Sequence, residues 1–528
     1  MTSNAIKTGI HLCKKSTVEI KFSNIYLSGY LYTLHRYVLK LATRVFTFTV
    51  FFYGLESVSA APVSHSRAYY VNASGSDENA GGKNSPFKTI AMINGVELHP
   101  GDSVLLAGGQ TFHGTLYINN KSGTSKKPII ISSYGRGFAS IQSDKDGALE
   151  LNTAKYIRLS DLSLKGAGRK DGNIKNGVLI NKCTHITIKN LDISGFQKAG
   201  LLVYSSTLIS MAHIRAYENG FAGISIEGEY GHKDSRDIYI ADCRTENNPG
   251  DPSNLKNHSG SGIVVGHSTK VTVEYCVASN NGWDMPRIGN GPVGIWCYEA
   301  DSVMIRYCIS YGNKTAKGAD DGGGFDLDGG VTYSTIQHCL SYDNYGSAFG
   351  IFQYAGATPW HHNTIRNNIS ENDGSVSAAQ AAVYIWNSSG DETQFADLAF
   401  YNNIIYNARG SVIHYADKQS RRSRFRFYKN TFVGKDELIK GTVTGDFFSG
   451  NTWWSLEGGF NIDSTKDFKT WARKTGKEQR NGKLTGLNKE PHFKNAGHAS
   501  LTDPHKLKSW TNYELVHSTE VKRKNGNF

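Results

Sequence analysis

Tyr239-Ile-Ala-Asp-Cys243, Thr272-Val-Glu-Tyr-Cys276, Met304-Ile-Arg-Tyr-Cys308 and Thr335-Ile-Gln-His-Cys339 follow one another at intervals of 33, 32 and 31 residues. Each is a short alternating segment that closes on cysteine, and one position per repeat marks one column of a stacked interior. Cysteine serves there as a small hydrophobe, so the column predicts buried, reduced thiols rather than disulfides. Working outward, Leu191, Ile214, Asn368 and Asn403 fall in the same slot. Five residues after the four cysteines stand Asn248, Asn281, Asn313 and Asn344, with Asn219 placed equivalently after Ile214. Stacked asparagines at a turn can hydrogen-bond to one another and to turn backbone in successive coils.

Each repeat holds two short strands, such as Gly262-Ile-Val-Val265 and Val271 to Cys276, bounded by Gly, Asn and Asp turns. The expected fold is all-β, a right-handed parallel β-helix (solenoid) of about ten or eleven coils over 129–448. An N-terminal cap with first strands is expected over 61–128, and a C-terminal capping segment over 449–528. Ser85-Pro-Phe-Lys-Thr-Ile90 leads into a capping helix. Ser464-Thr-Lys-Asp467 reads as a capping box, with Phe468, Trp471 and Ala472 forming the docking face of a second helix.

Composition agrees. The 528 residues include 57 Gly and only 11 Pro, with 39% hydrophobic and 20% charged residues, which excludes collagen-like and disordered chains. The net charge is +12, of which +5 lies in the first 61 residues, leaving a moderately basic body that suits an acidic polymer. Residues 1–60 read as a signal region: the apolar run Val45 to Leu55 follows Lys40 and Arg44 and leads into Val58-Ser-Ala-Ala61. The run is too short for a permanent span. The expected protein is therefore secreted, extracellular or periplasmic, free of the membrane after cleavage, and monomeric.

Tyr69-Tyr-Val-Asn-Ala-Ser-Gly-Ser-Asp-Glu-Asn-Ala-Gly81, Ser85-Pro-Phe-Lys-Thr-Ile90 and Gly101-Asp-Ser-Val-Leu-Leu-Ala-Gly-Gly109 resemble the opening of secreted β-helix proteins of the pectate-lyase-like superfamily. Gly291-Pro-Val-Gly-Ile-Trp-Cys-Tyr298 and Asp320-Asp-Gly-Gly-Gly-Phe-Asp-Leu-Asp-Gly-Gly330 resemble their central segment. The resemblance implies a carbohydrate-active protein and leaves lyase, glycosidase and epimerase chemistries open.

Aligning the first strand of each repeat sends its first and third residues inward. The outward columns then read Leu202, Ser225, Val264, Trp296, Asp326, Gly350, Tyr384 and Tyr204, Glu227, Gly266, Tyr298, Asp328, Phe352, Trp386. Trp296, Tyr298, Phe352, Tyr384 and Trp386, with Glu227, are the expected substrate-binding residues, the rings facing solvent to stack on sugars. Asp326 and Asp328, with Cα atoms about 6.6 Å apart on one strand face, form the expected catalytic pair. His267 and Glu299, neighbours in the next slot, offer a proton-transfer unit in which the carboxylate raises the imidazole pKa. Arg287, in loop 282–292, is placed to clamp a uronate carboxylate. Asp320 and Asp321 are the candidate metal ligands, with Ca2+ the cation such a cluster would take.

These residues lead to a secreted polysaccharide lyase acting by β-elimination on an acidic, uronate-containing polysaccharide or matrix exopolysaccharide. The alternatives are a glycoside hydrolase using the Asp pair, for which the spacing lies within the ~6.5–9.5 Å inverting range, then a C5-epimerase or a non-catalytic glycan-binding solenoid. No P-loop, dinucleotide fingerprint, zinc spacing or nucleophile elbow occurs, and no nucleic-acid partner is expected.

Overall fold

A computed structural model of the chain describes residues 66–374, 380–416, 421–443 and 445–515. The expected signal region lies outside them. Short strands stack in parallel from coil to coil: twelve of them, Leu116–Asn119 first and Ile439–Lys440 last, form one sheet, and the remaining flanks form a second, continuous system. The parallel ladder extends past 129–448, from Ala68–Val71 at one end to Leu487–Asn488 at the other. Among the described residues no helix is long and apolar enough to cross a membrane.

The corners explain how an alternating strand turns without a loop. Asp161, Asn190, His213, Asp242, Tyr275, Tyr307 and His338 all sit at φ between 51° and 58°. One left-handed residue at this corner of each coil bends the chain sharply and lets the next strand resume in register. Inside the corner lies the cysteine column. Cys243, Cys276, Cys308 and Cys339 are buried and free.

Both asparagine ladders form, and each ends on a carboxylate. Asn219, Asn248, Asn281, Asn313 and Asn344 each donate through Nδ2 to the Oδ1 of the next member at 2.8 to 3.2 Å, and the last recipient is Asp373. Where the cysteines stop, Asn368, Asn403, Asn430 and Asn451 continue their column in the same way and end on Glu478, 2.6 Å away. A ladder that donates in one direction needs an acceptor at its end, and a carboxylate supplies one.

The ends differ in detail from expectation. Ile90–Asn94 is a five-residue helix burying Ile90 and Ile93. The second helix, Phe468–Thr475, buries Phe468, Trp471 and Ala472 as expected, but its N-cap is Asp467, whose side chain accepts from the Thr470 amide at 2.7 Å. Ser464 lies in the preceding turn at φ 58°. Trp471 meets Trp453 at 6.1 Å and so closes the core. The chain beyond does more than cap: it returns along the flank, where Glu371 accepts from the amides of Gly497 and Ala499 and from the Tyr513 hydroxyl. Leu501, Leu507 and Trp510 cover Val277, Ile309 and Leu340 there.

Candidate functional site

Six successive strands of the twelve-stranded sheet build the site: Ala222–Glu227, Ser261–Gly266, Val293–Tyr298, Gly323–Leu327, Phe349–Gln353 and Val383–Asn387. Their first and third aligned residues, among them Ile295, Cys297, Phe325 and Leu327, point into the core, so the outward columns are those expected. Trp296 pairs with Asp326, and Asp326 with Gly350, in consecutive coils.

The outward face is less open than its sequence suggests. Trp296 is only 4% exposed and Phe352 is buried, which corrects the expectation of rings facing solvent. Loops inserted between coils cover them. Trp296 forms a small outer cluster with Ala222, Val264 and Val293, its Nε1 donates to Ser261 Oγ at 3.2 Å, and His258 from loop 249–260 stands edge-on to it at 4.7 Å. Tyr298 and Tyr384 are half-buried, and Trp386 is 36% exposed.

Between loops and sheet lies a pocket of about 540 Å³. It brings together Asp320, Asp321, Asp326 and Asp328 with Trp296, Tyr298, Phe352, Tyr384 and Trp386. Asn257, His258, Asn290 and Tyr354 line it as well and escape sequence reasoning, because they stand on loops whose partners no periodicity reveals.

The carboxylates are strongly perturbed. Asp326 is 2% exposed, and its Oδ1 is buried without a hydrogen-bond partner. Burial, then the charges of Asp328 and Asp321, push its pKa well above the ordinary range. Burial raises Asp328 to about 6, although its Oδ1 accepts from the Gly329 amide at 2.7 Å. Asp321 is raised to about 7, again chiefly by burial, while accepting from the Gly291 amide at 2.7 Å. Gly350 supplies the room: a Cβ there would lie 2.8 Å from Asp326 Cγ and from Phe352 Cε2.

The other expected residues take different places. Glu227 lies outside the pocket lining, where Tyr298 donates to it at 2.8 Å and Ser225 at 3.2 Å, so it holds the Tyr298 ring. The strut crosses an intervening coil at Gly266, where a Cβ would come 2.5 Å from both partners. Glu299 gives both oxygens to Thr358 rather than to His267. His267 packs edge-on against Tyr298 at 5.4 Å, and its pKa is lowered because burial outweighs the Glu299 charge, which reverses the expected direction. Arg287 is absent from the pocket lining. Its guanidinium donates to the carbonyls of Asn257, Ile288 and Asn290 at 2.9 to 3.0 Å, so it joins the two loops of the wall. Among the described residues no three His, Cys, Asp or Glu side chains converge as a metal site requires, and Asp320 and Asp321 face the pocket without forming one.

Comparison with known proteins agrees with this architecture. The chain is similar over 163 residues, at 29% identity, to the uncharacterized protein YwoF of Bacillus subtilis strain 168, a match that spans 31% of this chain and 30% of that one. Among solved structures, the GH136 lacto-N-biosidase from Eubacterium ramulus superposes with a TM-score of 0.52 at 20% identity, covering 72% of this chain and 66% of that one. Pectate lyase Pel9A superposes at 0.42 with 16% identity, covering 87% and 91%. At 20% identity the likeness to the lacto-N-biosidase is one of fold alone. The family described as Pel9A-like, right-handed beta helix region matches residues 69–379, more than half of the sequence, and the protein belongs to that family.

Proposed function

We propose that the protein hydrolyses a glycosidic bond within a polysaccharide, with Asp326 as general acid and Asp328 as general base. The observation that carries this reading is the buried, partnerless oxygen of Asp326 in a pocket that also holds the Asp328 carboxyl, two residues on and just past the strand end. An anionic oxygen without a partner in a dry site is costly, so Asp326 is held as the neutral acid at neutral pH, while Asp328 is mostly ionised. Two carboxyls whose environments separate their proton affinities divide the roles of acid and base. Because they interact, they titrate as a pair.

A sugar ring held against Tyr384 and Trp386 places its glycosidic oxygen by Asp326, which gives its proton as the C1–O bond breaks. Asp328 takes a proton from the water that adds to C1. One water is consumed and two hydroxyls appear. Elimination would need a cationic group against a uronate carboxylate. Arg287, expected in that role, joins loops instead, and among the described residues no Lys or Arg lines the pocket, which leaves a divalent cation as the group that elimination would call on. No step is routed through Ca2+. The reading includes export, supported by the apolar run and small-residue site before Ala61.

A polysaccharide panel tests it, with reducing ends measured beside the ultraviolet absorbance of unsaturated uronates. Reducing ends without that absorbance, lost in Asp326→Asn, are expected. An unsaturated product would establish the lyase, and binding without cleavage would establish a glycan-binding solenoid.

A further inference from the structure

The sign of the body and the sign of the pocket differ. Beyond residue 61 the chain carries +7, yet four aspartates line the pocket and no lysine or arginine does so among the described residues. Four cations of the surrounding loops are already engaged. Arg169 and Lys170 both pair with Asp284, Lys198 pairs with Asp251, and Arg287 is held by loop carbonyls. The other polar lining groups are uncharged: the amides of Asn257 and Asn290, and His258, whose imidazole stays neutral because burial drives its pKa to about 4.

A uronate carboxylate entering this space would meet the half-buried Asp328 and Asp321 and the exposed Asp320, with no Lys or Arg among the described lining residues to receive it. A pyranose without charge meets what it needs: flat apolar surface at Trp386 and Tyr384, amide donors and acceptors for hydroxyls, and a proton on Asp326. We propose that the pocket takes an uncharged sugar residue, a neutral hexose or an N-acetylated hexosamine, and rejects uronates. The proposal rests on the reading of this pocket as the glycan site. It replaces the acidic polysaccharide suggested by net charge, because the field of the whole surface governs encounter while the pocket lining governs which residue is bound.

Two experiments test it. The fluorescence difference between wild type and Trp386→Phe isolates Trp386, and caesium should quench it several-fold more strongly than iodide; equal quenching, or stronger quenching by iodide, overturns the proposal. Polygalacturonate and alginate are then compared with the same polymers after reduction of their carboxyl groups, which keeps backbone and linkage. The reduced forms should be bound or cleaved at least tenfold better. Equal or better use of the parent polymers, with or without added Ca2+, overturns the proposal, as does a preference for chitosan, which would assign the pocket to an ammonium sugar. Reducing ends released from a parent uronate polymer would overturn only the substrate class, whereas an unsaturated product would overturn the hydrolase reading too. If neither form is touched, the quenching ratio decides.

Discussion

Two pairs of carboxyls with raised proton affinities lie in this solenoid, and their surroundings separate structural acids from reactive ones. Asp373 and Glu478 end the asparagine ladders. Asp373 accepts from Asn344 Nδ2, from the Asn344 amide and from Ser370, and Glu478 accepts from Asn451 and Trp453. Asp326 is buried and Asp328 half-buried, yet Asp328 has one amide donor and Asp326 Oδ1 has none. All four have raised proton affinities, with burial the first cause in each. A raised pKa therefore does not tell the two pairs apart. The count of donors does, because evolution of a stable core removes unsatisfied polar atoms unless another role retains them.

The largest effect that could break this comparison is on turnover. Asp326→Asn and Asp328→Asn should each lower it by about 10²-fold or more without destabilising the fold, since neither side chain supports the core and each carboxyl resists ionisation where it stands. Wild-type rates in both variants, measured by reducing-end release, would move the site elsewhere. Asp373→Ala should do the reverse. It leaves Asn344 with a buried donor that lacks an acceptor, at a cost of about 1–3 kcal/mol in denaturant unfolding, and turnover per folded molecule should be unchanged.

The ladders and the columns were legible because they repeat: a stacked position is visible at its own spacing, and the alternation fixed which residues of Val293–Tyr298 and Gly323–Leu327 face outward. The covering of that face was not legible. His258 and Asn290 reach the pocket from loops whose course depends on single contacts, such as Arg287 holding the Asn257 carbonyl, and such contacts leave no period. Asp373 and Glu478 were missed for a related reason, as the end of a ladder breaks the pattern that reveals it. His267 was misjudged because the neighbouring charge is visible in the sequence and the depth of burial is not.

The rings sharpen the comparison at a smaller scale. Trp296 belongs to a packed outer cluster, so Trp296→Ala should chiefly destabilise, by about 3–5 kcal/mol as for other buried aromatic truncations. Trp386, exposed at the pocket edge, should instead lose binding: Trp386→Ala weakens it by about 1–3 kcal/mol, on the analogy of base–aromatic stacking, with little change in Tm. Titration of both variants with the cleaved polysaccharide, alongside thermal melts, separates the two roles. A stable Trp296→Ala protein with normal folding would show that the cluster is not part of the core.

The smallest expected effect is a pH-dependent gap in stability. Asp321 and Asp373 each have a folded pKa of about 7, against an unfolded value near ~3.9. Between those values the folded state holds more protons than the unfolded state, so each group lowers stability as pH rises from about 4 to 7, and the whole effect is present above 7. The buried histidines act in the opposite direction below about 6.5, which obscures the trend in wild type alone. Comparison with Asp321→Asn or Asp373→Asn cancels the histidines, because every other group is shared. Each variant should therefore gain Tm on wild type between pH 5 and pH 8, by a few degrees, as about 1 kcal/mol moves Tm by only ~2–4 °C in chains of 150–250 residues. The sign should be the same for the ladder acid and the pocket acid. Only Asp321→Asn should also change the pH profile of turnover, because its charge faces Asp326 in the pocket whereas Asp373 faces Asn344 in the core. A pH-independent gap for both variants would mean that both carboxyls are ionised across this range, and donor count would then lose its value as the mark that separates them.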